Sequence, residues 1–167
     1  MSAFSLAEYH AAERNAGVAL ALLGVASAAS AAWVVRARSP LAAMAWPLAL
    51  GALVELGVGA GMAWDAHRAL AQELTADAET MATISAKLAV LAKNHRIATR
   101  VELGMIAMSA VLSLALPRPG AARAILLGVL VEAVALLCFD TFGLSRATQH
   151  LDQLTGSGAM ARHPPES

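Results

Sequence analysis

Charged residues divide this chain into four apolar stretches, and that punctuation limits its possible folds more than any other feature. Residues 16–35 contain no charge at all, and residues 41–64 are broken only by Glu55. Residues 101–116 carry Glu102, and residues 121–143 carry Glu132 and Asp140 behind Arg123 at their edge. About 20 helical residues cross a hydrocarbon core of roughly 30 Å. Three of the stretches reach that length, and the third completes it by borrowing residues before Val101. Alternating polarity is absent while Ala and Leu dominate, so the spans are helices and not strands.

Composition agrees. The chain is 58% apolar and 14% charged, with a mean hydropathy of +0.60. An ordinary soluble domain is about 25% charged, and one core of this size cannot bury so much apolar surface. The 12 basic and 12 acidic residues leave no net charge, which argues against nucleic acid as a partner because phosphates call for excess cation. The apolar fraction excludes disorder across the chain. The expected class is an all-α integral membrane protein of bacterial inner-membrane type, with the lipid bilayer as its first partner.

The connections alternate short, long, short. Residues 36–40 and 117–120 are Pro-containing turns that stop one helix and start the next. Four transmembrane helices as two antiparallel hairpins follow. The long connection, residues 65–100, has neither Gly nor Pro, and Met81, Ile84, Leu88 and Leu91 form an apolar helical stripe. It is expected to be an extramembrane helical hairpin, broken near residues 75–78 and packed on itself. Residues 1–155 then form a single domain, with 156–167 a disordered tail rich in Gly and Pro.

An even number of spans puts both termini and the long connection on one side. That side holds eight of the 12 cations, so the positive-inside rule places the termini in the cytoplasm, although the other four, Arg36, Arg38, Arg118 and Arg123, lie in or beside the two short turns. Trp33 and Trp46 mark one interface, Trp64 and Phe142 the other. The Ser-Ala-Ala-Ser-Ala-Ala run ending at Ala32 resembles a signal-peptidase site. However, Glu8 and Glu13 precede it where a basic region belongs, and the apolar run continues to Val35. The lone Cys138 excludes an intramolecular disulfide.

A carboxylate at the centre of a membrane helix costs about 2.5–3.5 kcal/mol. The Leu and Val residues of the second span offset this only to near break-even, so Glu55 is expected to face protein. Gly51, Ala52, Gly59 and Met62 share its face. Gly57 and Gly61 form a GxxxG pair on an adjoining face, suited to helix packing. Glu132 has Gly128 one turn before it and Asp140 two turns beyond, while Glu102, Ser109 and Ser113 make one polar stripe. Ser27 and Ser30 lie a turn apart in the first span. Glu55 and Glu132 fall roughly 21 and 17 Å into the membrane at 1.5 Å per residue. No basic residue lies deep in any span, so a protonated or proton-sharing state is the expected outcome for at least one of them. Val54-Glu-Leu-Gly57 recurs as Val101-Glu-Leu-Gly104, a faint echo of the kind seen in repeat-built transporters.

Three functional readings emerge. The first is association, either self-association into a homo-oligomer or service as accessory subunit to another membrane protein, through Gly57, Gly61 and the extramembrane hairpin. The second is a proton or cation pathway using Glu55 and Glu132, lined by Ser109 and Ser113, with Glu102 and Asp140 near its mouth. The third is a transition-metal site, for Zn²⁺ for example, made by His10, His67, His95 and His150 just outside the membrane, with Glu8, Glu13 or Asp65 adding oxygen. Metal-ligand spacings such as HxxxH and HExxH are missing, and so are nucleotide loops, the Gly-x-Ser-x-Gly elbow and intramembrane His for haem. No cofactor and no catalytic residue are therefore expected.

Overall fold

The structure, a computed structural model, describes residues 5–71, 78–116 and 120–161. They form four long helices: α1 (Leu6–Arg36), α2 (Ala45–Ala71), α3 (Ala78–Ala115) and α4 (Ala121–Ala161). All four are long and apolar enough to cross a membrane, and no strand occurs among the described residues.

Local chemistry sets the boundaries. Ser5 caps α1 by accepting from the Glu8 amide at 3.3 Å, and Glu8 itself suits the positive end of the helix dipole. The helix stops after Arg36, where the Ala37 amide bonds back to the Trp33 carbonyl at 2.8 Å. Arg38 then takes a positive φ of 48°, and the Leu41 amide donates to Ser39 Oγ at 3.1 Å. A single 3-10 turn (Ala42–Met44) precedes α2. Regular α-helix thus begins at Ala45 and not at Leu41, because Pro47 has no N–H to give the carbonyl one turn earlier.

The helices pair as expected, α1 with α2 and α3 with α4, while α4 also packs against α2, α1 and the 3-10 turn. Small residues make the α1–α2 crossing close. A Cβ on Gly17 would fall 2.5 Å from the Ala63 amide nitrogen, and one on Gly59 equally near that of Ala21. Helix α2 runs parallel to α4. Pro47 sits over Gly128 and Gly51 under Glu132, so residue i of α2 meets residue i + 81 of α4 at both points.

The long connection departs from expectation. Among the described residues α2 and α3 make no close backbone approach, so the described parts of 65–100 do not pack on one another. Instead α3 and α4 continue unbroken out of the span region and cover one another. Ile84, Leu88 and Ala92 of α3 form a buried cluster with Ala147 of α4 and Tyr9 of α1, flanked by Leu91, Leu144 and Leu151. The apolar stripe of α3 was legible; its mate was not, because α4 supplies an equally long apolar face. Arg146 adds a tie across this layer, donating to the Ala12 carbonyl at 2.9 Å. Helix α4 also continues through residues 156–161, where the sequence reading begins a disordered tail. The first strong helix breaker after Thr155 is Pro164, since Gly156 and Gly158 each cost only about 1 kcal/mol in a helix. The remainder of that tail, like residues 72–77, lies outside the described residues.

The surface of the bundle is apolar around its waist. Leu22, Leu50, Leu53, Met108, Val111 and Leu114 are all exposed, and so are Trp33, Trp46, Trp64 and Phe142 at the two edges. That distribution suits lipid, which solvates the outer face and the aromatic belts alike.

Candidate functional site

Two clusters of ionisable side chains are built into this bundle. The inner one joins α1, α2 and α4. Glu55 is completely buried, and Glu132 and Ser27 nearly so. The parallel register of α2 and α4 brings the two carboxyls together, with the Ser27 hydroxyl in interaction range of both. Gly51 makes the approach possible. The Glu132 carboxyl lies against its Cα, in the volume that any other side chain would occupy. All four carboxyl oxygens of the pair are buried without a well-formed hydrogen bond among the described residues. Groups of this kind normally find partners, and their desolvation is otherwise costly. Of the two serines a turn apart in α1, only Ser27 turns inward. Ser30 is exposed and spends its hydroxyl on the Ala26 carbonyl at 2.8 Å.

The outer cluster joins α3 and α4 nearer the termini. His95 Nδ1 donates to Asp140 Oδ1 at 2.9 Å, with both side chains about 15% exposed. The imidazole lies against Gly143, where an added Cβ would fall 2.6 Å from Cε1. Glu102 is buried and within electrostatic reach of Asp140 and His95, with Oε2 unpartnered. Ser109 and Ser113 continue the same buried stripe along α3 toward the far side. Among the described residues the close backbone approach of α3 is to α4, so that stripe faces α4. Glu102 thus belongs with Asp140 and not with Glu55, despite the shared Val-Glu-Leu-Gly motif.

The four histidines are not brought together. His10 and His150 flank the Tyr9 ring, with centroids 5.0 and 5.5 Å from it. His95 is committed to Asp140, and His67 is exposed. Among the described residues no three His, Cys, Asp or Glu side chains converge as a metal-holding group. A Cβ added at Gly57 or Gly61 would meet nothing within 4 Å among the described residues, and both glycines are exposed.

The sequence reading missed the His95–Asp140 pair and the role of Tyr9. His95 shares a helical stripe with Leu88 and Leu91, and Asp140 ends a span. Forty-five residues separate the two, and only the α3–α4 register decides their meeting. Comparison with protein-family models, with characterised proteins and with solved structures finds no match.

Proposed function

We propose that this chain is a small membrane protein that carries protons through the buried Glu55–Glu132 pair. The observation supporting this is the convergence of two unpartnered carboxyls from different helices, near mid-membrane, with no basic residue beside them. Ionisable residues at that depth mark ion and proton pathways more often than packing contacts. Two close carboxyls share one proton readily and pass it between them. Little room is left for a hydrated ion, because the Glu132 carboxyl already fills the notch at Gly51. The His95–Asp140–Glu102 cluster is the station nearest the termini, and the buried Ser109 and Ser113 line the route beyond it. The termini are assigned to the cytoplasmic face of an inner membrane on the bias of positive charge.

Proteoliposomes enclosing a pH-sensitive dye test this reading. Wild-type protein is expected to dissipate an imposed proton gradient faster than empty liposomes, and Glu55→Gln and Glu132→Gln to return the rate to background. Absence of wild-type flux, or full flux in the double Gln variant, overturns it.

A second reading has its own support. Gly57 and Gly61 face outward beside the exposed Leu50, Leu53, Val54 and Val58, a surface on which another helix could approach closely. We infer that association with a second copy or another membrane protein uses this face of α2. Crosslinking in native membranes through single cysteines at positions 57 and 61 tests it, in a chain with Cys138 replaced.

A further inference from the structure

A pocket of about 270 Å³ opens at the level where α1 and α2 leave the span region, bounded by α1, α2 and the outer part of α3. Its polar lining comes from three helices: His10 and Glu13 of α1, Asp65 of α2 and Lys87 of α3. Met62 and Ile84 supply apolar wall. Glu13 lies three residues before the first span and Asp65 directly follows Trp64, so the pocket sits in the headgroup zone of the bilayer. It shares no residue with either ionisable cluster and is independent of the proton-carrying reading.

The charges in this pocket are uncompensated. Among the described residues, neither carboxylate and not the ammonium takes part in an ion pair within 4.0 Å. His10 Nε2 is buried without a hydrogen-bond partner. Burial holds His10 below its ordinary imidazole value, with Glu13 opposing and Lys87 reinforcing the shift, which favours the neutral ring. Two negative charges and one positive charge remain. A simple anion would meet two carboxylates, and a simple cation would leave Lys87 unanswered. A zwitterion answers all three.

We propose that this pocket binds a zwitterion of the phosphoethanolamine type, its primary ammonium on Glu13 and Asp65 and its phosphate on Lys87. A primary ammonium offers three N–H donors to carboxylate oxygens, whereas a trimethylated one offers none and prefers an aromatic cage. Tyr9, the aromatic residue that lines the pocket, is already engaged in T-shaped contacts with His10 and His150, and one such ring does not make a cage. The volume corresponds to about nine waters at roughly 30 Å³ each, on the scale of such a group. The position in the headgroup zone gives a phospholipid direct access, with the apolar wall receiving its glycerol end.

Native mass spectrometry of the full chain from nanodiscs of defined lipid tests this. Phosphatidylethanolamine is expected to stay bound, while phosphatidylcholine (same phosphate, no N–H) and phosphatidylglycerol (same phosphate, no amine) are lost. Lys87→Met, and Glu13→Gln with Asp65→Asn, should each reduce retention at least about threefold, within the range of one exposed ion pair. Arg14→Gln, next to the pocket but outside its lining, should not. Calorimetry with soluble phosphoethanolamine separates the sources: binding there, abolished by the same variants, assigns the pocket to the free zwitterion, and its absence alongside lipid retention assigns it to the lipid. Equal retention of the three lipids, or retention unchanged in the pocket variants when soluble phosphoethanolamine also fails to bind, overturns the proposal.

Discussion

The carboxyl of Glu132 lies where a side chain on Gly51 would be. That contact sets the spacing between α2 and α4 and directs the Glu132 carboxyl toward Glu55, one turn further along α2. It makes a specific demand on position 51. Gly51→Ala pushes the Glu132 carboxyl aside and separates the pair, with an overpacking cost of about 1–3 kcal/mol. The expected result is a lowered thermal midpoint together with slower proton flux in proteoliposomes. Gly51→Ala combined with Glu132→Ala should recover stability but not flux.

Glycines elsewhere in the bundle sort by what lies over them. An added Cβ at Gly59 would meet backbone atoms of α1 at 2.5–2.6 Å, and backbone cannot rotate away. Gly57 and Gly61 face open space. Gly59→Ala should therefore destabilise the protein by about 1–3 kcal/mol, measured by unfolding in detergent. Gly57→Ala should stay within about 0.5 kcal/mol of wild type. Gly57→Leu should leave the monomer intact while weakening any crosslinked dimer.

The outer cluster depends on Gly143 as the inner one depends on Gly51. Gly143→Ala displaces the His95 ring and breaks its 2.9 Å hydrogen bond to Asp140. Loss of that bond, as in Asp140→Leu, which has no acceptor, is expected to cost about 1–2 kcal/mol. The nitrogen chemical shifts of a selectively labelled His95 should report the loss of the Nδ1 partner in both variants. If Asp140→Leu leaves those shifts unchanged, the pairing is refuted.

Two groups outside the spans give the fold a pH dependence with opposite limbs. Burial pushes the Tyr9 phenol up from 10.0 to about 12, helped by Glu13 and opposed by Arg146. Its contribution to stability is complete below pH 10 and is lost as pH rises toward about 12. Burial lowers His10 from its ordinary 6.5. Its contribution is complete above pH 6.5 and declines as pH falls below that value, because the unfolded chain then binds the proton more tightly. Thermal unfolding across pH should show a flattened alkaline limb in Tyr9→Phe and a flattened acid limb in His10→Gln.

The four long apolar helices, the turn at Pro40 and the burial of Glu55 and Glu132 were legible from sequence, for one physical reason, while the second Pro turn lies outside the described residues. Transfer into lipid penalises each residue largely by its own chemistry, so charge and apolar run length carry the information. Helix faces were legible too, since a period of 3.6 places Glu102 with Ser109 and Ser113 whatever they pack against. The outcomes that needed the tertiary structure were all matters of register between helices. It decided that the α3 stripe meets α4 and Tyr9 and not the end of α2, and that Gly51 and Ser27 receive the carboxyl pair. It likewise paired His95 with Asp140 while leaving Gly57 and Gly61 outside. Such choices rest on which small residue lies opposite which large one, a relation between distant parts of the chain that no single helix encodes.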